Sequence, residues 1–206
     1  MRLPYADPST LTSAEDIAVV TRVEARRAPR PLQALDLTLL HAPKVADGWN
    51  SFLGAIRTGT SLAADVREIA ICRVAVCNEA WYEWAHHAPL AKEGGVSEEG
   101  MRILGEADFG GRSSGAGLTE RQWAVVAYAD AMTRAVAVEQ DAFDRLRKHF
   151  SEQEVVELTA TVSADAIHSP RSHIRGGEES SWCWRSLSRR LLNRLFLYAG
   201  GCVQLR

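Results

Sequence analysis

The sequence predicts an all-α fold on three observations. No segment alternates convincingly between polar and apolar residues with period two, so strands are not indicated. Apolar residues recur at helical spacing along most of the first 163 positions. The links marked by Pro, Gly and Ser are short, which favours antiparallel packing of neighbouring helices.

Residues 1–10 hold two prolines and read as an extended arm. Thr12 or Ser13 can cap a first helix, because a hydroxyl accepts from the free amides of the first turn, with Glu15 and Asp16 at its positive end. Ile17, Val20 and Val23 form its apolar stripe, and Pro29 and Pro31 end the pattern. A second helix is expected over Leu32 to Leu40 and a third from Val45 to Ile56, stopping at a Gly59 turn. Leu62 to Cys77 is nearly continuous in apolar residues, broken by Asp65, Arg67, Glu68 and Arg73; its length indicates a buried helix. The stretch from Asn78 to the Gly94-Gly95 stop predicts the next helix, and Ser97 opens a short amphipathic one. After a flexible loop over 109–117, Thr119 caps a helix with a stripe of Trp123, Val126, Ala127 and Ala131. Residues 139–149 and 151–164 complete the series, the last opened by a capping box of Ser151 and Glu154.

The formal charge of −2 conceals two differently composed pieces. Residues 1–165 hold 17 basic and 24 acidic side chains, whereas residues 166–206 hold 7 and 2, every basic one an Arg. The second piece also carries two Cys, two Trp and six Ser. Residues 1–163 are therefore expected to form one helical domain, and residues 164–206 an atypical basic tail. An acidic body argues against nucleic-acid binding. The apolar runs fall short of the roughly 18 residues a membrane span needs. The N-terminus lacks a signal pattern, and four cysteines without zinc spacing suit a reducing compartment, so a cytoplasmic protein is expected.

Three ionisable residues stand out by position. Glu83 and His87 are four apart, share a helical face and can hydrogen-bond, a pairing that moves protons near neutral pH. Glu68, inside the apolar helix, is costly to bury unless a donor such as His87 or a tyrosine meets it; in an apolar pocket it would titrate high. The plainer alternatives are an exposed Glu83–His87 pair, and a Glu68 at solvent or bridged to Arg67 or Arg73. A metal site from Glu83, His86 and His87 is disfavoured, because adjacent histidines point about 100° apart. Trp81, Tyr82 and Trp84 read as packing residues or as an aromatic wall for a flat substrate. Cys72 and Cys77 read as buried, inert thiols.

The stretch VREIAICRVAVCNEAWYEWAHHAPLAKEGGVSEEGMRIL, with the upstream LLHAPKVADGWNSFLGAIRTGTSL, resembles the carboxymuconolactone decarboxylase family, which includes the alkylhydroperoxidase D proteins. The resemblance covers about residues 32–163. In the redox branch a Glu is followed twelve residues later by a CxxC, and four residues after its second Cys by a His. Counted from Glu68, the cysteine positions here are Ala80 and Glu83, and the His position is His87. Without the dithiol, a thiolate reducing peroxide has no resolving partner. What remains is similar to the decarboxylase-like branch, in which a small carboxylated lactone loses carbon dioxide and the resulting dienolate is reprotonated. The resemblance thus implies an alkylhydroperoxidase D-like helical bundle that assembles as a homotrimer or hexamer, with no metal or organic cofactor and a small-molecule substrate. It implies Glu68 and Glu83 as acid/base or orienting groups and His87 as proton donor or carboxylate partner. Tyr82, Trp84 and His86 would line or support the pocket.

Two other functions remain open on the sequence: a thiol peroxidase working through Cys77, and a non-catalytic oligomeric binding protein. Family members continue past the equivalent of ELTATV with an apolar final helix. Here residues from about 164 onward read as foreign to the fold, as from an unspliced intron or a shifted frame. The alternative is an authentic tail in which residues 185–198 form a basic amphipathic helix.

Overall fold

The computed structural model describes residues 3–109, 112, 114, 115 and 117–168. Every regular element among them is helical, as expected. The described residues divide into two compact units, one up to residue 60 and one from residue 61.

In the first unit a short turn at Pro8–Thr10 leads to α1 (Ala14–Arg27), α2 (Ala34–Leu39) and α3 (Pro43–Gly54), which runs into a π-helical turn at Ala55–Gly59. Of the two candidate caps, Ser13 closes α1, accepting from the Asp16 amide. Val19, Val20 and Val23 pack with Leu40 and Ala46 in a small core. Ile17, expected on that stripe, is 48% exposed. Val19 draws the buried face round the helix, and Ile17 lies about 160° from Val19. Asp36 is buried at the start of α2, where Arg27 donates to both carboxylate oxygens at 2.8 and 2.9 Å and the Gln33 amide donates at 2.8 Å. Those charge-assisted bonds offset the cost of removing the carboxylate from water.

The second unit is built around α4 (Ala64–Cys77), which packs against α5 (Trp81–Glu93), α6 (Glu98–Leu104), α7 (Glu120–Arg134) and α9 (Glu152–His168); α8 (Gln140–Arg147) lies against α7 and α9. From Val66 to Cys77 only Arg67 escapes full burial. The core around α4 is filled from α7 by Trp123, Val125 and Tyr128, and from later helices by Leu146 and Leu158. α7 is buried more widely than its expected stripe, since Ala124, Ala129 and Met132 are inside while Ala127 and Ala131 are only partly so. Its cap is a full box, Thr119 with Gln122. The expected Ser151–Glu154 box at α9 forms, with bonds of 2.8 and 3.3 Å.

The fully buried Arg73 fixes the segment after α6. It pairs with Asp130 of α7, donates to the carbonyls of Leu104, Glu106 and Ala107 at 3.2, 2.6 and 3.4 Å, and lies 4.0 Å over the Phe109 ring.

α4 and α5 form a hairpin. Asn78 does not start α5; residues 78–80 instead finish α4, with the Ala80 amide on the Ala75 carbonyl at 2.8 Å and the Glu79 amide on Val76 at 3.1 Å. This closure needs a left-handed residue, and Glu79 takes it at φ 56°. α5 ends the same way, with Val96 on Ala91 and Gly95 on Lys92, both at 3.0 Å, and Gly95 at φ 102°. Gly94 meets the start of α4 so closely that an added Cβ would lie 2.9 Å from the Asp65 nitrogen.

α9 continues through the expected boundary after residue 163 as far as His168, with Ala164 and Asp165 buried. The rest of the tail, including the amphipathic helix considered over 185–198, lies outside the described residues. Among the described residues no helix is long and apolar enough to cross a membrane.

Replacing Gly94 by Ala should cost about 1–3 kcal/mol in urea unfolding, because the new methyl group meets backbone that cannot swing aside. Gly59→Ala, with nothing within 4 Å, should change stability by no more than about 0.5 kcal/mol.

Candidate active site

The buried middle of α4 places Glu68 against α5, where Glu83 and His87 project one turn apart. Nδ1 of His87 lies 2.7 Å from Oε2 of Glu68, a contact across 19 residues of sequence. Nε2 of the same ring lies 3.6 Å from Oε2 of Glu83. The other Glu68 oxygen, Oε1, accepts from Nε of Arg67 at 3.1 Å. The three expected catalytic residues therefore converge, in the order Glu68, His87, Glu83. The exposed reading of the Glu83–His87 pair does not hold, as their side chains are 8% and 13% exposed.

Electrostatics then distinguish the two carboxylates. Burial by itself would push the Glu68 carboxyl up, but the hydrogen bond and charge of His87, with Arg67 behind, outweigh it and hold the group below its ordinary value. That corrects the expectation of a high-titrating Glu68: the donors it requires are present and dominate. An ionised Glu68 is an acceptor, so Nδ1 of His87 donates to it, and Nε2 is the nitrogen turned toward Glu83. Both Glu68 oxygens are occupied, so it is a positioning residue. Nε2 of His87 and Oε2 of Glu83 face one another. Their 3.6 Å separation exceeds a hydrogen bond, and such contacts commonly tighten when substrate binds.

The other expected pocket residues do not share this face. Tyr82 is 60% exposed and its ring lies 4.2 Å from that of His86, whose Nδ1 donates to the Tyr82 carbonyl at 2.8 Å. Trp84 is half-buried and lines, with Ala88, Pro89 and Met101, an open cavity of about 680 Å³ between α5 and α6; Glu68, Glu83 and His87 do not line it. Among the described residues no group of three or more His, Cys, Asp or Glu is placed to hold a metal ion. Of the two bridging partners considered for Glu68, Arg67 meets it, whereas Arg73 pairs with Asp130 instead.

Cys77 lies elsewhere on α4, donating from Sγ to Asp130 at 3.2 Å. Burial pushes its thiol up to about 12; the Asp130 carboxylate acts in the same direction, and Arg73 and Arg134 oppose. The nucleophilic thiolate is thus suppressed. Cys72 is buried as well.

Residues 43–113 match the model of the Carboxymuconolactone decarboxylase family, which bears out the resemblance read from the sequence. Three solved structures share the fold. A protein of unknown function from Agrobacterium tumefaciens, described as a candidate antioxidant defence protein AhpD, superposes with a TM-score of 0.53 at 21% identity, covering 64% of this chain and 87% of its own. A Cys-to-Ala variant of the debrominase Bmp8 in complex with 2,3,4-tribromopyrrole gives 0.62 at 16%, covering 82% and 86%. The apo form of that debrominase gives 0.59 at 16%, covering 76% and 81%. No curated protein matches the chain in sequence.

The stability contributed by ionised Glu68 is present above the ordinary carboxyl value of 4.5 and disappears as pH falls through its lowered folded value. Glu68→Gln, which keeps an acceptor for His87, should flatten that acidic limb in denaturation curves taken from pH 6 downward; an unchanged limb would mean that Glu68 is not held ionised. Alkylation of the native protein, mapped by peptide mass, should leave Cys72 and Cys77 unmodified until unfolding, and Cys77→Ser should not alter any peroxide turnover.

Proposed function

We propose that this chain is a lyase that decarboxylates a small carboxylated lactone or an aromatic-derived metabolite by Glu/His proton transfer, with no cofactor. The observation that carries the reading is the His87 ring, fixed at Nδ1 by Glu68 and turned with Nε2 toward Glu83. Fold alone does not choose the reaction, since related helical structures include a candidate AhpD and a debrominase. The side chains favour proton chemistry over thiol chemistry: the cysteine positions of the redox motif are Ala80 and Glu83, and Cys77 is held protonated.

In this mechanism the bond between the substrate's carboxylate carbon and the ring breaks and carbon dioxide leaves. The electron pair delocalises into the lactone as a dienolate. The Nε2 proton of charged His87 passes to carbon, and solvent restores it to the neutral ring beside Glu83. Substrate and one proton become product and carbon dioxide. Glu68 keeps the ring oriented throughout and balances the imidazolium. The same reading places the enzyme in the cytoplasm as a homotrimer or hexamer, for which the exposed Trp81, Tyr82 and Leu90 of α5 offer apolar surface.

Carbon dioxide release from 4-carboxymuconolactone tests the proposal. Glu83→Gln and His87→Ala should each slow it by about 10²–10⁴-fold. Equal rates in all three proteins would refute the site. Binding without release by the wild type would favour the non-catalytic alternative.

A further inference from the structure

We propose that Arg67 anchors an anionic group of the substrate, a carboxylate seated against its Nη nitrogens. The inference rests on the reading of Glu68, His87 and Glu83 as a proton-transfer site and assigns the recognition that site otherwise lacks.

Arg67 uses one donor inside the protein, Nε to Oε1 of Glu68 at 3.1 Å. That bond fixes the plane of the guanidinium, which carries five N–H donors in a rigid fork. Among the described residues the Nη nitrogens have no hydrogen-bond partner. Two Nη groups side by side have the geometry that grips a carboxylate with two parallel bonds.

Exposure points the same way. The Glu68 and Glu83 side chains are 5% and 8% exposed, against 13% for His87 and 21% for Arg67. A molecule arriving from solvent therefore meets the ring and the guanidinium before either carboxylate. Charge requires such a group. Two buried carboxylates repel an anionic substrate, and His87 cannot serve as its anchor while both its nitrogens are committed, one to Glu68 and one to the proton delivered to carbon. A guanidinium is a fixed positive charge, so its attraction for an anion does not depend on the imidazole.

Calorimetric titration with a saturated γ-butyrolactone carboxylate, which cannot form the dienolate, and with its methyl ester separates charge recognition from turnover. The wild type should bind the acid at least about tenfold more tightly than the ester. Arg67→Gln should erase that preference by weakening the acid alone. Arg67→Lys, a point charge without the fork, should fall between them. His87→Ala should keep the preference, because it leaves the guanidinium in place. A wild type without acid preference, or an Arg67→Gln protein in which acid and ester weaken equally or not at all, would overturn the assignment. Should the wild type prefer the acid yet release no carbon dioxide from 4-carboxymuconolactone, the decarboxylase reading fails while the role of Arg67 stands.

Discussion

A helix with no solvent face must satisfy every polar group it carries from its neighbours, and α4 is such a helix from Val66 to Cys77 apart from the half-buried Arg67. Two of its side chains are charged and deeply buried, Glu68 and Arg73. Each would be prohibitively costly alone. Glu68 is met by His87 of α5, and Arg73 by Asp130 of α7, the Leu104 carbonyl at the end of α6 and two carbonyls of the segment that follows. Much of the second unit's arrangement stems from the demands of these two groups.

Those demands differ in kind. Arg73 spends its donors on fixed backbone carbonyls and a carboxylate, leaving a closed structural node. Glu68 spends its oxygens on an imidazole and a guanidinium, and both of those reach the surface. The second arrangement keeps groups that can exchange a proton or grip a ligand. Burial thus suppresses the Cys77 thiolate yet leaves Glu68 ionised, because the partners differ.

The apolar run of α4 reveals its burial in the sequence, and the spacing of four reveals the Glu83–His87 pairing. The cost of burying Glu68 also signals that it needs a donor, with His87 as a candidate. That the donors hold the Glu68 carboxyl low is not legible there, because the balance depends on distances of 2.7 and 3.1 Å between groups on different turns and helices. The choice between Arg67 and Arg73 as the bridging partner of Glu68 is open in the sequence for the same reason. Tyr82 and His86 group with the site by nearness in sequence, yet the 100° turn per residue carries them to the outer face. Asn78 resembles a helix start because nothing local distinguishes it from a residue of a Schellman closure whose left-handed position is filled by Glu79 instead of glycine.

That closure governs more than a chain reversal. Only residues 78–80 separate α4 from α5, so the rotational phase of one helix relative to the other is set by three peptide units. One residue more or fewer would turn α5 by about 100°, carrying His87 away from Glu68 and bringing a neighbouring side chain round in its place. The link therefore acts as the phase lock of the site, and its length is under tighter constraint than most of its composition.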